Sequence, residues 1–328
     1  MPRTRNLRHI LLIAAFAACV IVLGVWSARS PGSAAPVKPP ACPDASQATE
    51  GTQGDDVIVV SRKAKAVEGL EGDDLICGLA GIEIDGGPGD DVLVGSNGDD
   101  TLLGGEGNDE LFGVGGSDSL IGGEGDEYMN AGEGADNLMG GPGDDHLVGF
   151  HGADFMIGEG GSDQLNGSGG EDFLAAGAGD DRASGELGPD FVDAGSSFDT
   201  AFGGKSEDYV FGGTDADELF SGPAGDLIYG GGGDDEMHGL GGDDELFAGG
   251  RLDTLFGDSG NDLLMGGTEA DELFGASGDD TLLGEPSADK LDGGEGRDRC
   301  GGGTSSEGRT SGGGIDEASH CEKVEGVP

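Results

Sequence analysis

The chain has 328 residues, 73 of them glycine, with 66 acidic side chains against 16 basic ones and 5 % aromatics. A formal charge of −50 excludes nucleic acid and anionic membrane surfaces as natural partners, because a polyanion repels phosphate. So few large apolar side chains also exclude a conventional globular core, and a composition this charged and this polar is that of a disordered chain unless something else holds it.

The N-terminal stretch is set apart by its charge. No acid precedes residue 44, and the bases there are Arg3, Arg5, Arg8, Arg29 and Lys38. Three arginines followed by the uncharged apolar run Ile10 to Trp26, and then by the small-residue strings Gly32-Ser33-Ala34 and Ser33-Ala34-Ala35, read as an export signal over about residues 1–30. The apolar run is also just long enough for a membrane span, so an uncleaved anchor is the alternative. Both readings place the remainder outside the cytoplasm. Residues 31–50 are rich in Pro, Ala and Ser and predict a linker.

From residue 51 to residue 301 the sequence repeats itself every nine residues. With the unit written G-G-x-G-x-D-x-U-x, where U is a large apolar residue, the sixth position runs Asp91, Asp100, Asp109, Asp118, Glu127, Asp136, Asp145, Asp154, Asp163, Asp172, Asp181, Asp190 and Asp199. It continues through Asp208, Asp217, Asp226, Asp235, Asp244, Asp253, Asp262, Asp271, Asp280, Asp289 and Asp298 without one insertion. The eighth position is apolar throughout, from Leu93, Leu102, Leu111 and Leu120 to Leu291 and Cys300. Earlier units are worn: Asp56 and Asp74 fit the frame, Lys65 stands at an acidic position, and the step from Glu83 to Asp91 is eight residues. Self-similarity at a fixed short period is the mark of a solenoid.

Stretches such as Gly140-Gly141-Pro142-Gly143-Asp144-Asp145 and Gly104-Gly105-Glu106-Gly107-Asn108-Asp109 resemble the hemolysin-type calcium-binding (RTX) nonapeptide-repeat family. The exported start and flanking cysteines resemble its small, repeat-only secreted actinobacterial members. The resemblance implies an all-β fold, a parallel β-roll or β-helix solenoid of nine-residue calcium-binding repeats, with multiple Ca²⁺ ions between stacked turns. Each unit then reads as a six-residue turn followed by a three-residue strand. Glycine permits the left-handed backbone that such turns need, and an Asp carboxylate with converging carbonyls supplies the oxygens calcium takes. Two units make one coil, so an ion between stacked turns is expected to take Asp n and Asp n+18. Position eight points into the core, and positions seven and nine point out. One leucine per nine residues is a thin core, so the chain is expected to fold only when calcium is bound.

Position four departs from Gly at Ser197, Ser206, Asp215, Ala224, Arg251, Glu269 and Ser287. The best ion sites are therefore expected from the intact pairs among Asp91, Asp100, Asp109, Asp118, Asp136, Asp145, Asp154, Asp163, Asp172, Asp181 and Asp190, and among Asp244, Asp262, Asp280 and Asp298. The edge holding Asp199, Asp217, Asp253, Asp271 and Asp289 has lost position four at each of these, so occupancy in the C-terminal third is expected on one side only. In the same region position nine becomes aromatic or large: Phe202, Phe220, His238, Phe256 and Phe274 on one face, Phe211, Tyr229, Phe247, Met265 and Leu283 on the other. Such ladders stabilise neighbouring strands or form a surface for self-association or cell-surface contact.

Outside the signal four cysteines remain, Cys42, Cys77, Cys300 and Cys321, and an even number in an exported chain predicts two disulfides. Cys42–Cys77 and Cys300–Cys321 bracket the repeats and are favoured among the three connectivities. Residues 302–328 read as a closing cap. No His-Glu-x-x-His is present, the Gly-x-Gly-x-x-Gly strings are products of the repeat, and no EF-hand pattern flanks the turns. No enzyme and no small-molecule substrate are expected. A calcium-folded structural or adhesive surface module is favoured, with a soluble calcium buffer or sensor, or a non-catalytic relative of repeat-bearing secreted hydrolases, as alternatives.

Overall fold

The structure, a computed structural model, describes residues 51–60, 64–302, 317–321 and 323–325. The expected export segment, the linker, Cys42 and most of the cap lie outside the described residues. The rest is the expected all-β roll. Its strands form two fully parallel sheets of 15 strands each. The first sheet begins at Val57–Val59 and ends at Glu317–Ser319, and the second begins at Ala66–Glu68 and ends at Lys323–Glu325. Successive strands alternate between the sheets, so each coil contributes one strand to each and every strand pairs with the one a full coil away. At about 4.8 Å per strand step the rod is roughly 67 Å long.

The register is 18 residues per coil, as in Leu138↔Met156 and Leu174↔Val192. Position eight sits on the midline. Leu102, Leu111, Leu120, Leu174, Val192, Leu246 and Leu282 are all 0 % exposed and form one continuous column between the sheets. Many strands are longer than the three residues expected: Thr101–Glu106 and Phe173–Ala178 have six each. The ladder runs on into the first three turn positions, because these glycine-rich segments stack in register on their counterparts one coil away.

Two expectations about the worn N-terminal units are corrected. Val57 pairs with Leu75 a full 18 residues on, but Ala66 pairs with Glu83 and Leu75 with Val92, so the coil that contains residues 75–83 is one residue short. The missing residue falls before Glu83. Glu83 therefore takes position seven, exposed, and the acidic slot is filled by Ile82, whose N–H donates to Asp100 Oδ1 at 2.7 Å. Position nine is also not uniformly exposed. Val59, Cys77, Val94 and Phe112 are buried on the outside of the first sheet against Leu75, Leu79, Val92, Val114 and Tyr128.

Of the two expected disulfides, Cys300–Cys321 is present, with Cα atoms 5.9 Å apart. It ties the cap to a position-eight residue that is itself 0 % exposed. Cys77 is also disulfide-bonded.

Candidate metal centre

Each turn ends with its position-six side chain folded back into the interior. All of the sequence-predicted ligands, Asp91 through Asp190 and Asp244, Asp262, Asp280 and Asp298, are buried, and none exceeds 4 % exposure. They stack in two columns, one leading into each sheet. Within a column each Oδ1 accepts the backbone N–H of the acid one coil earlier. Asp109 Oδ1 takes Asp91 N–H at 2.8 Å, Asp172 takes Asp154 at 2.8 Å, and Asp280 takes Asp262 at 2.9 Å.

The other oxygen has nothing to bond. Oδ2 of Asp91, Asp109, Asp118, Asp136, Asp145, Asp154, Asp163, Asp172, Asp181 and Asp190, and of Asp244, Asp262, Asp280 and Asp298, is buried without a hydrogen-bond partner. A buried carboxylate oxygen left so is costly, and here the omission repeats down both edges of the rod. Asp100 is the exception, because Ser96 donates both its N–H, at 2.7 Å, and its hydroxyl, at 3.0 Å, to Asp100 Oδ2. Asp100 is the poorest ligand of the predicted set. Glu127, one methylene longer, has both carboxylate oxygens buried and unpartnered.

The surroundings of the free oxygens are backbone carbonyls. A side chain at Gly104 would run into both Asp109 Oδ2 and the Gly122 carbonyl oxygen, so these two oxygens face the same small space. The carbonyl oxygens of Gly87 and Gly89 point along the rod at Gly105 and Gly107 of the next coil, which have φ of 129° and 130°. Glycine is required there because a Cβ would strike those carbonyls and because L side chains seldom adopt such φ. Among the described residues no three His, Cys, Asp or Glu side chains converge on one point. The donor set is one carboxylate per turn with several carbonyls, all hard oxygen, which suits Ca²⁺ and not a nitrogen- or sulfur-seeking metal.

Burial raises these carboxylic acids far above the ordinary value, and neighbouring carboxylates add to it. Asp91, Asp118, Asp154 and Asp190 are pushed up to about 7, Asp163 and Asp244 to about 8, and Asp181 to about 9, although the N–H from the preceding coil pulls each back. Without a cation the rows hold protons that water-exposed aspartates would have lost.

A family model described as the RTX calcium-binding nonapeptide repeat (4 copies) matches residues 50–82 and, in overlapping segments, residues 85–300. The chain belongs to this family. Comparison with curated proteins finds no match. As an RTX calcium-binding protein it places its repeat acids between consecutive coils, and its number of repeats implies several ions. In a loaded RTX turn the Asp Oδ2 atoms and the position-one carbonyls that face them would hold the cation, which would supply positive charge to the acidic columns.

The expected contrast between the edges is not visible in the carboxylates. Asp199, Asp217, Asp253, Asp271 and Asp289 are as buried as Asp262 and Asp280, and the first four leave the same oxygen unpartnered. The loss of glycine shows in the backbone, where Ser197, Asp215, Arg251 and Glu269 are held at φ of 96°, 73°, 97° and 80°. These RTX turns keep their shape at a conformational cost.

A second ladder was missed in the sequence. Position five, taken as free, carries Asp or Asn in runs, and its Oδ1 accepts the N–H of the residue one coil later. Asp90 takes Asn108 at 2.9 Å, Asn108 takes Asp126 at 2.9 Å, and Asp126 takes Asp144 at 3.0 Å. Asp243, Asn261 and Asp279 repeat the pattern on the other edge. The recurring Asp-Asp and Asn-Asp pairs were its signal.

Proposed function

We propose that this is an exported protein whose roll forms when calcium enters the turns, and that it serves outside the cytoplasm as a structural or adhesive module without catalytic activity. The observation that carries the reading is the repeated buried, unpartnered Asp Oδ2. A fold that hides one unpaired carboxylate oxygen per turn, over a core of one apolar side chain per turn, gains its stability from the cation that those oxygens bind. The basic, then apolar start of the chain supports export. A solenoid of stacked repeats with ring ladders on its outer faces supports a scaffold role.

Circular dichroism of residues 44–328 during calcium titration and subsequent chelation tests the reading. A disordered spectrum in chelator and a cooperative gain of β structure in the millimolar calcium range, typical of extracellular sites, is the expected result. Equal β content in excess chelator and in calcium refutes it, and tight graded uptake without a folding step assigns the chain to calcium buffering instead.

A further inference from the structure

The outer faces of the two sheets differ. On the first sheet the rings Phe202, Phe220, His238, Phe256 and Phe274 stack at centroid spacings of 4.6–5.1 Å. A cation closes each end of this stack, Arg182 over Phe202 at 4.4 Å and Lys290 over Phe274 at 4.8 Å. Acids flank it at Glu218, Glu236 and Glu272, all exposed. That ladder is complete in itself and stabilises the roll.

The second sheet carries a longer, open stripe. Its rings run without a break from Phe155 through Phe173, Phe191, Phe211 and Tyr229 to Phe247, each 4.9–5.2 Å from the next. The stack begins at position seven and crosses to position nine between Phe191 and Phe211. Leu103, Ile121 and Met139 extend the stripe before it, and Met265 and Leu283 after it. Ile121 is 38 % exposed, Phe155 39 % and Tyr229 36 %. Between Thr101 and Leu283 the outward positions seven and nine of this sheet hold only two acids, Asp193 and Glu245, in a chain of charge −50. Beside the ridge, position two forms a trough without side chains at Gly177, Gly195, Gly213, Gly231, Gly249 and Gly267.

We propose that the second sheet's outer face docks on the same face of a second copy of this chain. A ridge and a bare trough side by side are self-complementary under a two-fold axis, each ridge lying along the other's trough. The face carries only these two acids in a chain of charge −50, so it adds little repulsion between like-charged copies. Eleven strands, each about 4.8 Å wide, by one strand length give a footprint on the order of 900 Å², close to the roughly 800 Å² per partner of a stable interface. The dimer rests on the calcium-folded reading, and it gives the proposed scaffold its partner.

Sedimentation velocity of the calcium-saturated chain, with circular dichroism of the same samples, tests this. The wild type is expected to sediment as a dimer, more completely as sodium chloride screens the remaining repulsion. Phe173→Ser with Tyr229→Ser, and separately Leu227→Lys, which adds charge without opening the ring stack, are expected to be monomeric with an unchanged β spectrum. Phe220→Ser with Phe256→Ser on the first sheet is expected to stay dimeric. A β-structured monomeric wild type, a species larger than a dimer, or a dimer that survives Leu227→Lys and is lost in the first-sheet variant overturns the proposal. A wild type without β structure in calcium overturns the calcium reading itself.

Discussion

Asp172 Oδ1 accepts the backbone N–H of Asp154 at 2.8 Å, while its Oδ2, buried beside Gly167, accepts nothing. One carboxylate thus does two things: half of it splices consecutive coils, and half is kept for a cation. The two halves are separable by substitution. Asp172→Asn retains an oxygen for Asp154 and replaces the other with an amide that repels a cation. We expect it to lose calcium at its turn, seen as a lower stoichiometry by calorimetry, with β structure at saturating calcium preserved. Asp172→Ala removes both functions and is expected to destabilise the loaded roll by a further 1–3 kcal/mol or so, the cost of an unmet buried donor. Equal effects of the two substitutions would disprove the division.

The raised carboxylic acids set the direction of the pH dependence. Their folded-state pKa values lie near 7 for Asp91, Asp118, Asp154 and Asp190, above the ordinary 3.8. The calcium-free roll therefore binds more protons than the unfolded chain, and its stability falls as pH climbs from about 4 to about 7. Calcium needs the deprotonated form, and the unfolded calcium-free chain, whose aspartates ionise near the ordinary 3.8, holds protons in its place only at lower pH. The half-saturating calcium concentration is expected to drop as pH rises to about 5, where the carboxylates of the unfolded chain finish ionising, and to level off above, while the calcium-free chain is expected to gain β structure toward pH 4. A calcium-free chain with no more β structure at pH 4 than at pH 7 would contradict the buried carboxylates.

The left-handed residues of the first column's edge carry removable strain. Arg251→Gly and Glu269→Gly, at φ of 97° and 80°, are each expected to stabilise the calcium-loaded roll by about 1 kcal/mol. The readout is the melting temperature in saturating calcium. Ser206→Gly is the control, because Ser206 is not among the left-handed residues, and it should gain nothing.

The Cys300–Cys321 bridge spans 21 residues of sequence, and closing a loop of that length restrains the unfolded chain by about 3 kcal/mol. Cys300→Ser with Cys321→Ser is expected to fray the last coil first. Amide exchange at Arg299 and Lys290 should quicken while exchange at Phe173 is unaffected. Uniform quickening along the rod would mean that the bridge acts on the whole roll.

The roll itself was legible in the sequence, because period-nine glycine, acid and apolar positions leave a chain few other ways to close. Position six and position eight carried that signal, Asp154 and Met156 as clearly as any. What escaped was whatever crosses between positions or coils. Glu83 looked like the acid of a worn unit, but only strand pairing reveals that the dropped residue precedes it. The Phe191–Phe211 contact joins position seven to position nine, so no single repeat position shows it. The Asp90–Asn108 bond makes sense of position five only once the coils are stacked. The lost glycine at Arg251 pointed in the sequence to a weaker ion site; that it is held left-handed while the Asp253 carboxylate stays buried is visible only in the backbone.

The two side-chain ladders point in opposite senses: Asp109 reaches back to the N–H of Asp91, and Asp90 reaches forward to the N–H of Asn108. Every coil is thereby hooked to both neighbours and to nothing farther away. A rod tethered at its ends and pulled would not yield as a block. It would pay out one 18-residue coil after another, each adding about 60 Å of slack, and so act as a shock absorber with evenly spaced yield points.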